Sequence, residues 1–308
     1  MRSFLKLFFI FTLFTGTAAA AGPSQAQDLP LIDAHSQFDH HVAPGEIIKW
    51  MDRAGVNHVI LSTRGRATPR ELLALARNNP GRITPSVRTK GGIYTRNDPK
   101  YYKVLKGQLN MDGFGAMAEV IMWHAQKGDK APQVIVSPDD KRVQTALKAA
   151  LERKWPFVVH IEFAAAGGDR DSFMAKFETL LRQYPGHPFL LIHMGQLPAD
   201  EAGRLIEKFP NIHFITSHAN PITVNSSNQP WINLFDGEHL RGEWKALMSA
   251  HPDRFVLGID NVWADHWGGK YVRQAAHWRK ALGELPPDAA HKVAHGNAER
   301  LWRLAPLR

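Results

Sequence analysis

The feature that most constrains the fold of this chain is an eightfold alternation of short apolar segments and longer amphipathic ones. The apolar segments have strand-like lengths and lie at 29–34, 58–62, 83–87, 114–122, 157–163, 189–193, 212–216 and 255–259. Segments with helical spacing of apolar residues follow them at 44–54, 69–78, 99–109, 138–153, 170–183, 198–208, 238–250 and 271–282. Strands that alternate with helices form parallel sheets, because each helix returns the chain to the start of the next strand. Eight such units within about 250 residues predict an α/β fold, the (β/α)8 TIM barrel.

Three further expectations complete the predicted architecture. An additional C-terminal helix is expected at 289–304, where it would close the barrel. Ser137 is expected to cap the helix at 138–153, with Pro138 in its first turn. A doubly wound open sheet is the alternative fold, but no glycine-rich dinucleotide-binding turn follows the first strand, which disfavours it.

The first 26 residues have the pattern of a secretory signal peptide. Arg2 and Lys6 are followed by an apolar run over 7–14, by small residues over 15–21, and by Ser24-Gln25-Ala26, a small-x-small cleavage site. The alternative is a membrane anchor, but the apolar run is shorter than the ~20 residues of a comfortable span. We therefore expect a periplasmic or secreted protein with no stable anchor after cleavage, whose single barrel domain occupies 27–308.

Composition limits the chemistry and the partners of this chain of 308 residues. It contains no cysteine, which excludes disulfides, thiolate nucleophiles, cysteine-bound zinc and iron–sulfur clusters. Cleavage after Ala26 would remove Arg2 and Lys6 and no acidic residue, so the formal charge would fall from +9 to +7. Because the basic residues are dispersed and no nucleic-acid motif is visible, we expect a solvated basic surface and no nucleic-acid partner.

Imidazole and carboxylate side chains occur where five of the predicted strands end. In a barrel these carboxyl ends surround the active site. A single histidine there is commonly a hydrogen-bonded core residue, but five matching positions indicate a site. Nitrogen and oxygen ligands of this kind suit zinc, manganese or iron. The five residues are His35, Glu119, His160, His193 and Asp260.

Several short motifs resemble those of the amidohydrolase superfamily, in particular the amidohydrolase-related (type 2) metal-dependent hydrolases, which include decarboxylases. Asp33-Ala34-His35 resembles the family's opening, in which His-x-His follows an Asp-Ala pair. His160, His193 and Asp260 resemble its histidines of strands five and six and its aspartate of strand eight. The segment 296–301, Gly-Asn-Ala-Glu-Arg-Leu, resembles its closing structural cap. The resemblance spans residues 31–304 and implies a barrel enzyme with a metal site.

One position departs from the family pattern, because Gln37 stands where the second histidine of His-x-His is expected. A neutral amide oxygen is a poorer zinc ligand than an imidazole. Three outcomes follow: Gln37 is a weak ligand, Glu119 replaces the lost ligand, or the site has lost its metal. A carboxylated-lysine bridge is not expected, since no lysine ends strand four.

Four residues after other strands are candidates for binding substrate. Arg64 and Arg88 have the fork geometry that binds a carboxylate or phosphate, although each is as readily a solvated loop cation. Trp263 follows strand eight and would wall the pocket, or would pack on the last barrel helix. His218 follows strand seven at the start of a long loop.

The predicted protein is a metal-dependent hydrolase that attacks an amide, lactone or ester carbonyl of a small molecule. The resemblance implies one or two divalent ions, zinc first and manganese or iron as alternatives, held by His35, Gln37, Glu119, His160, His193 and Asp260. Asp260 would accept the proton of the attacking water, whose pKa the metal lowers, and His193 would polarise the carbonyl or orient the water. Non-oxidative decarboxylation and a non-catalytic binding role on the same barrel are the alternatives, and the sequence leaves the oligomeric state open.

Overall fold

The computed structural model describes residues 28–127, 132–227 and 229–307 of the chain. The signal peptide predicted at 1–26 lies outside these residues. The strands are β1 (Leu31–Phe38), β2 (Val56–Thr63), β3 (Ile83–Val87), β4 (Ala116–Met117), β5 (Val120–His124), β6 (Val134–Ile135), β7 (Phe157–Ile161), β8 (Phe189–Leu191), β9 (Ile212–Ile215), β10 (Phe235–Asp236), β11 (His239–Leu240) and β12 (Phe255–Val256).

A helix follows each barrel strand as the alternating pattern predicted, although the helix predicted at 238–250 begins only at Gly242, because His239–Leu240 forms β11. The α-helices are Pro44–Ala54, Pro69–Asn78, Gly92–Thr95, Lys100–Leu109, Lys141–Arg153, Arg170–Gln183, Ala199–Lys208, Pro221–Val224, Gly242–Ala250, Gly269–Leu282, Pro287–His291 and Asn297–Trp302. Short 3₁₀ segments span Phe163–Ala165, Gly167–Asp169, Ile192–Gln196 and Pro252–Arg254, and a π-helical turn spans Lys292–Gly296. None of the helices in the described residues is long and apolar enough to cross a membrane.

The barrel strands pair with parallel neighbours, which confirms the predicted fold, whereas β6 pairs antiparallel with β5, and β10 and β11 form a separate antiparallel pair. Of the two larger sheets, one has the order β1-β2-β3-β4 and the other the order β12-β9-β8-β7-β5-β6. The chain itself joins the two sheets at one seam, since β4 and β5 are halves of the fourth barrel strand. At the other seam the Ala34 amide donates to the Leu257 carbonyl at 2.9 Å, and the Gln37 amide donates to the Asn261 carbonyl at 2.7 Å.

The fourth barrel strand differs from its prediction as one continuous strand over 114–122. It is interrupted at Ala118-Glu119: Ala116–Met117 pairs with β3, whereas Val120–His124 pairs with β7. This break places the Glu119 side chain, which is 2 % exposed, among the buried residues of the barrel mouth.

The helix predicted from residue 138, with Ser137 as its cap, was placed too early. It begins at Lys141, and the Asp140 side chain accepts a hydrogen bond from the Arg142 backbone amide at 2.8 Å. Aspartate satisfies a free amide of the first turn as well as serine does, so the two caps compete. Here Asp140 is the one that the backbone uses.

The C-terminal segment closes the barrel as expected, although in three pieces rather than one helix. Ala298, Leu301 and Trp302 pack with apolar residues of the barrel interior, including Ile32 and Val158. The Asn297 side chain in the same segment donates to the carbonyls of Pro252 and Phe255, both at 2.8 Å. These contacts anchor the Gly-Asn-Ala motif beside the start of β12, which agrees with a structural role.

Candidate active site

A large cavity opens at the carboxyl ends of the barrel strands. Its volume is about 1250 Å³. Charged, histidine and tryptophan side chains that follow strands β1 to β12 form much of its wall, as the sequence predicted for this end of a barrel. Those side chains include Arg64, Arg88, Lys90, Arg96, Glu119, His124, Lys127, His160, His193, His218, Trp231, Asp260, Trp263, Asp265, His266 and Lys270, together with the amide of Gln37.

One compact group of potential metal ligands consists of His193, His218 and Asp260, all of them buried. Each offers one ligand atom, and these three atoms lie within 4.8 Å of one another. Asp260 Oδ2 is 3.6 Å from His193 Nε2 and 3.5 Å from His218 Nε2. The two imidazole rings stack with 4.6 Å between their centroids and 5° between their planes. The two stacked rings therefore both lie near Oδ2 of Asp260.

All three residues of this triad have a left-handed backbone. The φ angle is 54° at His193, 59° at His218 and 58° at Asp260. Non-glycine residues rarely adopt this region, because the Cβ atom then crowds the backbone, and such strain of about 1–3 kcal/mol per residue clusters at functional sites. His193 follows β8 by two residues, His218 follows β9 by three and Asp260 follows β12 by four, so all three left-handed residues lie in the segments that leave the carboxyl ends of these strands.

Burial sets the protonation of the two histidines of the triad. It lowers the pKa of His193 well below its ordinary value and that of His218 to about 3, so both are neutral at pH 7. His193 Nδ1 lies 3.1 Å from the Ser217 carbonyl, which can only accept a hydrogen bond. Nδ1 therefore carries the proton, and Nε2 presents its lone pair toward Asp260.

Asp260 is ionised although it is buried. Burial alone would raise the pKa of this carboxyl, but His35 and His218 hold it below the ordinary value. His218 Nε2 also lies 3.2 Å from the Asp260 backbone carbonyl, which can only accept, so this nitrogen carries the proton and the unpartnered Nδ1 holds the lone pair of that ring. Two neutral imidazoles and one carboxylate are a donor set that binds zinc and similar divalent ions.

A second group lies beside the first and forms a chain of alternating charges. The Lys90 ammonium contacts Glu119 Oε1, and Glu119 Oε2 is 2.6 Å from His160 Nδ1. His160 Nε2 is 2.9 Å from Glu162 Oε1, which is also 2.9 Å from the Lys127 ammonium. Both nitrogens of the His160 ring are thus engaged by carboxylates, which raise its pKa against the effect of burial.

Glu162 and His124 join His160 in a second compact triad, whose ligand atoms also lie within 4.8 Å of one another. Burial alone would raise the pKa of Glu162, but the hydrogen bond from His160 and the charge of Lys127 hold it well below the ordinary range. Burial lowers the pKa of His124 to about 3. This triad is a second cluster of nitrogen and oxygen atoms, but His160 could bind an ion there only after giving up one of its two carboxylate contacts.

Gln37 connects the two groups. Its amide nitrogen donates to Glu119 Oε1 at 3.1 Å and to Asp260 Oδ1 at 3.0 Å. His35 lies below the cavity wall, with Nε2 3.4 Å from Glu119 Oε1 and Nδ1 3.8 Å from Asp260 Oδ1. The structure therefore gathers all six residues predicted as metal ligands into one cluster beneath the cavity, namely His35, Gln37, Glu119, His160, His193 and Asp260.

Unsatisfied polar atoms show that this cluster fits a bound metal ion. Within the described residues, both ring nitrogens of His35, Oε1 of Gln37 and Nδ1 of His218 are buried without a hydrogen-bond partner. Buried polar atoms nearly always have one. A divalent ion is a partner for such nitrogen and oxygen atoms, and the carboxylates of Glu119 and Asp260 supply the compensating charge.

The four residues predicted to bind substrate all line the cavity. Arg64 lies over the Trp263 ring, with 3.6 Å between the guanidinium carbon and the ring centroid, and its Nη1 is 3.7 Å from Asp39 Oδ2. Arg88 lies on the same wall and bonds the loop after β2 through the Gly65 carbonyl at 3.0 Å. His218, predicted here as a substrate residue, also belongs to the first triad.

Sequence reasoning missed three further site residues, which are Glu162, Lys127 and Trp231. Glu162 follows His160 with the alternation of a strand, and that spacing was a usable signal. Lys127 and Trp231 lie on long loops, where no periodicity indicates direction. The Trp231 ring contacts the rings of His193 and His218, with centroid distances of 4.7 and 4.9 Å, and so covers the first triad.

Comparison with known families gives one match, to the family model described as Amidohydrolase, over residues 121–304. These residues include the second half of the barrel and carry His160, His193, His218 and Asp260. A search of curated proteins finds no significant match.

Solved structures confirm the barrel fold. An uncharacterized TIM-barrel protein from Bordetella bronchiseptica is 15 % identical, with 90 % of this chain and 99 % of that chain covered and a TM-score of 0.60. Dihydroorotase from Campylobacter jejuni is 12 % identical, with 91 % of this chain and 85 % of that chain covered and a TM-score of 0.56. A zinc-bound amidohydrolase from Burkholderia multivorans is 14 % identical, with 90 % of this chain and 100 % of that chain covered and a TM-score of 0.52. At these identities the similarity establishes the fold alone.

Proposed function

Because this chain belongs to the amidohydrolase family, we propose that it is a metal-dependent hydrolase acting on an amide, lactone or ester carbonyl of a small molecule. The observation that carries the proposal is the triad of His193, His218 and Asp260 beneath a cavity of about 1250 Å³. A solved structure with the same fold is described as an amidohydrolase with bound zinc, so zinc is the first ion to test, followed by manganese and iron.

A divalent ion held at the triad would act as a Lewis acid toward the carbonyl and toward water. The Asp260 carboxylate is ionised, so it can take a proton from water as that water attacks the carbonyl carbon. Asp260 then returns this proton to the leaving oxygen or nitrogen, so that the C–O or C–N bond breaks without a charged leaving group. His193, whose Nδ1 is anchored on Ser217, keeps Nε2 directed at the reacting atoms. Trp231 covers both imidazoles and limits access of bulk water.

The test compares two histidines of the same cavity. Purified protein is analysed for metal and assayed on lactones, esters and amides before and after chelation. His218→Ala should weaken metal binding at least about tenfold, the scale of disturbed ligation, and abolish turnover. His266→Ala is the matched control, because His266 lines the cavity outside both triads. Equal metal affinity in the two variants, or undiminished hydrolysis after metal removal, would contradict the proposal.

Non-oxidative decarboxylation is the second candidate, and the cationic wall formed by Arg64 and Arg88 favours it, since such a wall can hold a carboxylate near the triad. In that reaction the C–C bond to the carboxylate breaks, carbon dioxide leaves and a proton replaces it on carbon. Release of carbon dioxide, against formation of a new acid together with an alcohol or amine, separates the two reactions.

Gln37 is the residue that favours a non-catalytic binding protein. Stoichiometric metal without turnover on any carbonyl substrate would support that role.

Export remains part of the proposal. We expect a signal peptidase to cleave after Ala26, so that the mature chain begins at Gln27, with Gly22 as the next candidate. Mass spectrometry of the protein from its native envelope checks this expectation. An intact chain from Met1 would instead favour the anchor alternative.

A further inference from the structure

The wall of the cavity is strongly cationic. Six lysine and arginine side chains line the cavity, whereas three acidic side chains do so. The cations are Arg64, Arg88, Lys90, Arg96, Lys127 and Lys270. A cavity lined by an excess of one charge attracts ligands of the opposite charge.

These cations differ in how far protein carboxylates already neutralise them. Lys90 contacts Glu119, and Lys127 lies 2.9 Å from Glu162. Arg64 has a partner in Asp39, at the longer distance of 3.7 Å. Among the residues that the structure describes, Arg88 forms no ion pair with a carboxylate; its Nε donates to the Lys90 carbonyl at 3.1 Å and its Nη1 to the Gly65 carbonyl.

The Arg88 guanidinium is held in place by the backbone around it. A Cβ atom on Gly91 would lie 2.8 Å from Arg88 Nη2, so glycine allows the guanidinium to lie against the chain. Gly91 also has a φ of 118°, which other residues avoid. The carbonyl of Gly65 fixes Nη1 from the other side. A guanidinium positioned in this way loses little conformational freedom when it binds an anion.

Arg88 and Arg64 meet at the same part of the cavity wall, since Arg88 Nη1 donates to the carbonyl of Gly65, the residue that follows Arg64. Burial lowers the pKa of Arg88, and the charge of Arg64 lowers it further. Burial also lowers the pKa of Arg64, against the charges of Asp39, Asp260 and Glu119, which raise it. Two guanidiniums held together over a cavity are stabilised by an anion that bridges them.

We infer that the substrate of this site carries a carboxylate, separate from the reacting carbonyl, that Arg88 and Arg64 bind together. Arg64 stacks on the face of Trp263 and Arg88 lies against Gly91, so each guanidinium is a planar donor of restricted orientation. A planar carboxylate accepts two parallel hydrogen bonds from such a fork. This inference rests on the proposed hydrolase function, because it names the substrate class of the same site.

The test measures binding without turnover. Glutarate is the carboxylate probe and glutaramide its neutral counterpart, and both are titrated calorimetrically into the full chain with and without zinc. Arg88→Gln should weaken glutarate binding at least about tenfold, the scale expected for loss of a charge-assisted bidentate contact, and should leave glutaramide unaffected. Arg88→Lys keeps the charge and loses the fork, so its affinity for glutarate should lie between those of the wild type and of Arg88→Gln.

Arg66→Gln is the matched control, since it removes the same charge two residues from Arg64 but lies outside the cavity. It should change glutarate binding less than about twofold, the range of solvated surface charges. Thermal unfolding of each variant verifies that the fold is retained.

Equal binding of glutarate and glutaramide, or an unchanged affinity in Arg88→Gln, would overturn the inference. Tighter binding of inorganic phosphate with the same Arg88 dependence would assign a phosphate ester instead of a carboxylate. Failure of the hydrolase proposal would appear separately, as an absence of metal-dependent turnover with glutarate binding intact.

Discussion

Replacement of Asp260 by asparagine is the most informative perturbation of this site, because its neighbours dictate how the new amide must orient. In the wild-type chain Oδ1 accepts a hydrogen bond from the Gln37 amide nitrogen at 3.0 Å, and Oδ2 faces the Nε2 atoms of His193 and His218. Gln37 cannot reverse its own amide without turning an oxygen toward the Glu119 carboxylate, to which it now donates at 3.1 Å.

The asparagine oxygen must therefore remain on the Gln37 side, and its NH₂ group must take the place of Oδ2. That group cannot bind a metal ion and cannot accept a proton. Loss of a general base typically lowers the rate about 10²- to 10⁴-fold. Metal affinity should fall at least about tenfold as well. The free energy of unfolding should change little, since shape and the bond to Gln37 are kept.

Turnover is assayed over a range of metal concentrations, so that the loss of the base is separated from the loss of the ion. Asp265→Asn is the control, because Asp265 lines the same cavity, is exposed and lies outside both triads. It should change the rate less than about twofold, as expected for a solvated charge. Normal turnover by Asp260→Asn at saturating metal would refute the reasoning and assign the proton transfer to His193 or Glu119.

Three further predictions follow from the same structure. Gly258→Ala should lower the free energy of unfolding by about 1–3 kcal/mol through overpacking, because the new Cβ would lie 2.4 Å from Ile215, whereas Gly186→Ala, with no neighbour within 4 Å, should not. Burial lowers the pKa of His213 to about 3, so the folded state binds fewer protons than the unfolded state between pH 3 and 6.5, and stability falls as the pH drops through that window. Between pH 6.5 and 5, the free energy of unfolding should therefore fall by about 2 kcal/mol less in His213→Phe than in the wild type, as measured by urea unfolding. Gln37→His should tighten metal binding measured by competition with a chelator, and an unchanged affinity would place the ion away from β1.

The order and type of the elements followed from local sequence. Several predicted helices, such as Pro44–Ala54 and Arg170–Gln183, agree with the structure in both bounds, because apolar periodicity and the helix start and stop residues are local signals. The carboxyl-end rule then located the site, since parallel strands of a barrel present those ends on one face. The histidine and carboxylate residues at these ends, from His35 to Asp260, could be identified from the sequence without coordinates.

Only the tertiary structure decided which of those residues act together. His160 is bound through both ring nitrogens by Glu119 and Glu162, whereas His193 presents a free nitrogen to Asp260. His218 has a left-handed backbone, and its ring lies parallel to that of His193. Distances between side chains from different strands depend on barrel curvature and on the turn after each strand. The sequence identified six candidate ligands but neither Glu162 nor a ligand role for His218, and three-dimensional packing grouped them. A pattern along one strand contains no information on the direction of its neighbour's side chains.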